Sequence, residues 1–185
     1  MDNDVSAGAT TTIVGRLALG ITLLAFGLGH TDVIDGVTAA DAVSIAQYVG
    51  GIALFVAGLM AFRDRDTANG TAFAALGALW FTWAVSDAGS ANAAGLFLTL
   101  FALVALSLTL AGGDQLGQGA YGLFFVALVL MAIAQFAGND GLTKVGGWFA
   151  VAAGAVAWYA ATAAMAHWPT VLPKRAAGRG VTATG

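Results

Sequence analysis

Residues 42–62 read AVSIAQYVGGIALFVAGLMAF, twenty-one positions in a row without a charge. As a helix rising about 1.5 Å per residue, such a run is about 31 Å long, which matches the hydrocarbon thickness of a bilayer. Outward from it, comparable apolar runs occupy 12–29, 71–87, 91–111, 120–137 and 145–167. Short polar or glycine-marked connections at 30–36, 63–70, 86–92, 112–119 and 138–144 separate them. The pattern predicts an all-α polytopic membrane protein, a bundle of six transmembrane helices over 12–167 with terminal tails at 1–11 and 168–185.

Composition points the same way. Of the 185 residues 59% are hydrophobic and 9% charged, with a mean hydropathy of +0.84. A soluble domain carries about 25% charged residues, so this chain has too little polar surface to cover a globule. The N-terminal stretch has no basic residue before Arg16 and no small-residue cleavage site, so it is not read as a secretory signal. No cysteine is present, which removes disulfides and thiolate chemistry. No basic stripe interleaved with aromatics is present either, so no nucleic acid partner is expected.

Basic residues favour the cytoplasmic side during insertion. With six spans both termini share a side, and that side collects Arg16, Arg63, Arg65, Lys174, Arg175 and Arg179, against Lys144 alone on the other. Both tails are therefore expected in the cytoplasm, with the helices in the plasma membrane.

In lipid, helix association relies on close van der Waals approach. Gly50, Gly51 and Gly58 repeat the spacing of Gly146, Gly147 and Gly154, so each set forms a small-residue seam. The second and sixth helices are expected to be tight neighbours through these seams. No inverted repeat is evident, since the two sets do not correspond under such symmetry.

The spans hold no nucleophile with a base, no carboxylate pair and no metal-ligand cluster, so neither enzymatic activity nor a cofactor or metal is expected. His30 and His167 fall at helix ends on opposite sides of the membrane and read as interfacial. No ionisable residue sits mid-membrane. Arg16 either snorkels to the interface or draws anions to a pore mouth, and Asp41 reads as a charge placed favourably at a helix N-terminus. Thr22, Ser44, Gln47, Thr82, Gln135 and Asn139 are either pore-lining or interhelical hydrogen-bond partners; Thr22, Gln47, Gln135 and Asn139 are the main pore-lining candidates. The tryptophans Trp80, Trp83, Trp148, Trp158 and Trp168 are assigned to the interfacial belt or to packing.

The segments GGIALFVAGLMAF at 50–62, TAFAALGALWFTW at 71–83 and AGNDGLTKVGGWFAVAAGAVAWYAATAAM at 137–165, with VLP at 171–173, resemble the acetate uptake transporter family of bacteria and fungi. That resemblance implies six transmembrane helices per protomer, a homo-oligomer, commonly a hexameric ring, and a conduit through each protomer for small carboxylates such as acetate, often with protons. It also implies a hydrophobic constriction, which falls here on Leu19, Leu76 and Phe124. The chain departs from the family pattern where the NPAPLGL signature is replaced by residues 10–16, and where Leu54 and Ala61 stand for polar residues and Leu76 for an aromatic. A monocarboxylate permease or channel is the reading; a channel for another small polar or neutral solute, or a non-conducting structural membrane protein, stand as alternatives.

Overall fold

The structure is a computed structural model and describes residues 3–86 and 89–168. The C-terminal tail from residue 169, with its VLP motif, lies outside the described residues. Six long helices run through the rest, and no strand occurs among the described residues: α1 (Asn3–Gly29), α2 (Ala39–Arg63), α3 (Thr67–Val85), α4 (Ala91–Leu110), α5 (Gln115–Ala137) and α6 (Asp140–Met165). Five of them are long and apolar enough to cross a membrane; α3 is the exception by composition. Its Asn69, three Thr and two Trp lower its mean hydropathy, and its Gly70, Phe73, Leu76, Gly77 and Trp80 face the interior. The first helix reaches back to Asn3, so part of the stretch assigned to the N-terminal tail is helical.

Loop residues start these helices. Side-chain oxygens of Asp66, Ser90, Asp114 and Asn139 accept the backbone N–H three residues on, satisfying donors that a helix start leaves open. At α2 the Asp41 carboxylate accepts the Thr38 N–H at 2.8 Å, as a charge placed at a helix start should. At the far end of α5, Gly138 takes a left-handed conformation at φ 61° and stops the helix.

Backbone closeness sets the neighbour relations. Around the bundle α3 packs on α2, α2 on α1, α1 on α6, α6 on α5 and α5 on α4, whereas α3 and α4 approach each other at few points. The expected pairing of α2 with α6 is therefore corrected: both glycine seams exist, but they meet other helices. A Cβ on Gly58 would lie 2.5 Å from Ala74 N of α3, and Gly50 and Gly51 seat Thr22 of α1 and Phe81 of α3 respectively. The middle of α2, Ala46–Ala53, is π-helical, so these adjacent glycines can each serve a different neighbour. On α6, Gly147 and Gly154 meet α1, and Gly146 meets Met131 and the Ala127 carbonyl of α5. The partners on α1 are Gly20 and Gly27, seven residues apart, which close the seam from the other side.

The outward faces carry Ile52, Phe55, Leu59, Leu100, Leu103, Ile133, Trp148 and Trp158, all large and exposed. Such a surface fits hydrocarbon and not water. Because a Cβ on Gly154 would stand 2.7 Å from Leu24 N, backbone against backbone, Gly154→Ala should cost about 1–3 kcal/mol of stability and lower the thermal midpoint in detergent. Gly119 has open space around it, so Gly119→Ala should leave the midpoint unchanged or raised; equal behaviour of the two variants would reject the seam.

Candidate functional site

The gap between α3 and α4 is filled by side chains from four helices. Along α1, Arg16, Leu19, Leu23, Phe26 and His30 recur at three- and four-residue steps, which places them on one face. Leu76 and Trp80 come from α3, Phe101 from α4 and Phe124 and Leu128 from α5; all are fully buried, as are Leu19, Leu23 and Phe26. Aromatic rings form the centre of this plug. Trp80 stacks on Phe124 at 5.5 Å between ring centroids, and meets Phe101 at 5.3 Å and Phe26 at 5.1 Å edge to face. These are favourable geometries for aromatic pairs.

A cavity opens on either side of the plug. The one beside the C-terminal ends of α1 and α3 holds about 320 Å³ and is lined by Phe26, His30, Thr82, Trp83, Ser86, Gln135 and Thr143 among others. The opposite one, beside the middle of α1 and the N-terminal ends of α3 and α5, holds about 390 Å³ and is lined by Arg16, Asn69, Thr71, Asp114, Gln118 and Tyr121 among others. Each is far larger than a four-heavy-atom acid. From Arg16 to Phe26 is ten residues of helix, so the dry segment between the cavities is on the order of 15 Å thick. Inside it Trp80 Nε1–H is buried and, among the described residues, has no hydrogen-bond partner. Leaving such a donor unmade costs about 1–3 kcal/mol, which asks for a reason.

His30 stands at the wall of the first cavity, just beyond the end of its span. Its Nδ1 lies 2.7 Å from the Phe26 carbonyl, so Nδ1 carries the proton and Nε2 is left as an acceptor. Burial lowers its pKa from the usual 6.5, and the Phe26 carbonyl and Asp32 oppose that shift without cancelling it. Farther out, Lys144 pairs with Asp32 at 3.0 Å on the rim. At the other cavity Arg16 pairs with Asp114, across from the start of α5.

Two cavities that each carry a few polar groups in a largely apolar lining, on either side of an aromatic plug and all within one protomer, make the geometry of a conduit with a closed middle. The profile of the GPR1/FUN34/yaaH family matches residues 6–172. The chain belongs to this family. It is 30% identical over 162 residues to the succinate-acetate/proton symporter SatP of Escherichia coli strain K12, covering 80% of this chain and 84% of that one. It is 29% identical over 143 residues to the ammonia transport outward protein 2 of Saccharomyces cerevisiae, covering 67% of this chain and 50% of that one. Among solved structures, that of the bacterial acetate channel SatP superposes with a TM-score of 0.79 at 25% identity, covering 88% of this chain and 97% of the other.

Within this family member the residues read from sequence fall into groups. Leu19, Leu76 and Phe124 are all buried in the plug, together with Trp80, Phe101 and Phe26, which sequence reasoning did not place there. Trp80 lies near the centre of the apolar run 71–87, and its distance from both ends of that run was the available signal against a belt position. Gln135 and Thr82 line the first cavity. Thr22 does not serve as a polar lining: its hydroxyl donates to the Ala18 carbonyl at 2.8 Å and it is buried beneath Gly50. Asn139 is corrected from pore to cap, since its side chain accepts the Leu142 N–H. Gln47 lies outside both cavities.

Because His30 stays neutral when folded to a lower pH than when unfolded, its contribution to stability is full above about pH 6.5 and is lost as pH falls below that value. The thermal midpoint of the wild type should therefore drop between pH 7 and pH 5 by more than that of His30→Gln; parallel midpoints would show that the imidazole is not held this way.

Proposed function

We propose that this protein is a permease or channel for small monocarboxylates such as acetate, passing them through the single protomer as the neutral acid or with a proton. The observation that carries this reading is the closely packed apolar plug with a cavity at each end that presents polar side chains, His30, Thr82 and Gln135 at one and Arg16, Asn69 and Gln118 at the other. Taking a carboxylate out of water into such a segment costs several kcal/mol, whereas the protonated acid is charged nowhere and needs only its hydrogen bonds replaced. Neutral His30 offers an acceptor for the acid's O–H at one end of the path, and the unpartnered Trp80 N–H offers a donor for its carbonyl in the plug. Leu19, Leu76 and Phe124 act as the constriction, which a solute passes by displacing side chains rather than through standing water.

The basic residues support an orientation with both tails in the cytoplasm of the cell and the Arg16 cavity facing inward, and the family resemblance supports a homo-oligomer, such as a hexameric ring. The relatives are named for both acetate and ammonia transport, so a small neutral solute is the second reading.

Labelled acetate uptake into proteoliposomes should exceed that of empty vesicles, and the excess should grow from pH 7 to pH 5; no excess at either pH rejects the reading. Leu76→Trp should abolish the excess and Leu76→Ala should raise it, whereas a non-conducting scaffold is indifferent to both. The chain lacks cysteine, so a single cysteine reports sidedness: an impermeant maleimide should label Asp35→Cys in intact cells and leave Thr67→Cys unlabelled. The reverse pattern inverts the orientation.

A further inference from the structure

We propose that Arg16 is the carboxylate-binding residue at the cavity between the middle of α1 and the N-termini of α3 and α5, and that Asp114 is its resident competitor, displaced when a small carboxylate enters. The proposal rests on the transport reading and names the station at the inward-facing end of that path. Arg16 lies three residues before Leu19 on the same face of α1, so its guanidinium stands one helical turn from the plug. The side chain is 22% exposed, half-withdrawn from water but open to the cavity of about 390 Å³. Among the described residues Nη2 is the guanidinium atom engaged, on Asp114 Oδ2. The remaining N–H groups of the planar fork are free for a second carboxylate, which guanidinium binds in a bidentate manner.

Asp114 is built to let go. Its other oxygen, Oδ1, accepts the Gly117 N–H at 2.8 Å and caps α5, so the carboxylate keeps a partner at a helix N-terminus when Arg16 turns away. The side chain is also 47% exposed and is readily rehydrated. An incoming carboxylate thus exchanges one anion for another at Arg16 and leaves no buried charge unpaired. Asn69, Gln118 and Tyr121 line the same cavity and supply neutral polar groups around the exchanged anion. The guanidinium also stands where the family's signature is missing from this chain, so recognition at this end is supplied by a charge in place of a motif.

The test uses opposite signs. Acetate binding to the purified full chain in detergent is measured by calorimetric titration, with acetamide as the neutral control. Arg16→Gln should weaken acetate binding about tenfold, the scale of one charge-assisted hydrogen bond. Asp114→Asn, which keeps a good capping residue, should tighten it about threefold or more by removing the competitor. Acetamide binding should be the same in all three proteins. If the pair is only a structural tie, Asp114→Asn leaves acetate binding unchanged or weaker, and that outcome overturns the proposal even where Arg16→Gln fails to fold. Should the wild type bind acetate with these signs yet pass none in proteoliposomes, the transport reading fails and the assignment of Arg16 stands. Should it pass acetate while both variants bind as the wild type does, the assignment of Arg16 alone fails.

Discussion

The approach of α1 to α6 is the contact on which the rest of the architecture depends. Gly20 and Gly27 face Gly154 and Gly147 so closely that a Cβ on Gly27 would lie 2.6 Å from Val151 N. In hydrocarbon no water is released when two helices meet, so association rests on the number of atoms brought to contact distance. Glycine on both sides maximises that number. With one face of α1 committed to α6, its other stripe, Arg16 through His30, is turned toward α3, α4 and α5. The same helix thus carries the seam and one wall of the conduit. Displacing it would move the constriction, both cavities and the Arg16–Asp114 pair together.

The plug answers a different constraint. Where α3 and α4 stand apart, the space between them must be filled by large side chains or by water, and this chain uses Trp80, Phe101, Phe124 and Phe26. Rings packed edge to face hold each other without locking, since each contact is worth only on the order of 1 kcal/mol beyond the burial itself. The unpaired Trp80 N–H fits the same view, because a donor unsatisfied at rest is available to a solute in transit.

Much of this was legible in the sequence, and the reasons for the remainder are physical. Span positions follow from runs of apolar residues whose length the bilayer fixes, so α2, α4 and α5 fall close to expectation. The glycines were recognisable as packing residues, but a seam shows only that a helix approaches something, and not which neighbour. Gly20 and Gly27 on α1 share the seven-residue spacing of Gly147 and Gly154, but Gly51 and Gly58 share it too, so spacing alone does not say which seams meet. Thr22 and Asn139 show the limit for polar residues, since a hydroxyl can turn back to its own helix and a loop amide can cap the next one. The pairing of Arg16 with Asp114 spans 98 residues of sequence and follows from the fold alone.

The relatives include a proton symporter and a channel, and the geometry shows how one path accommodates both descriptions. Coupling by a protein group needs a side chain that takes a proton on one side and releases it on the other, and the middle of these spans contains none. A carboxylic acid has a pKa near that of Asp or Glu, so on the proposed reading it is its own proton carrier, protonated in one vestibule, neutral in the plug and ionised in the other. Such passage would move one proton with each acid, as symport does, and would require no protonation cycle of the protein. Arg16 and His30 fit the two ends of such a path, the cation receiving the anion where the acid has ionised and the neutral imidazole meeting it where the proton is still on.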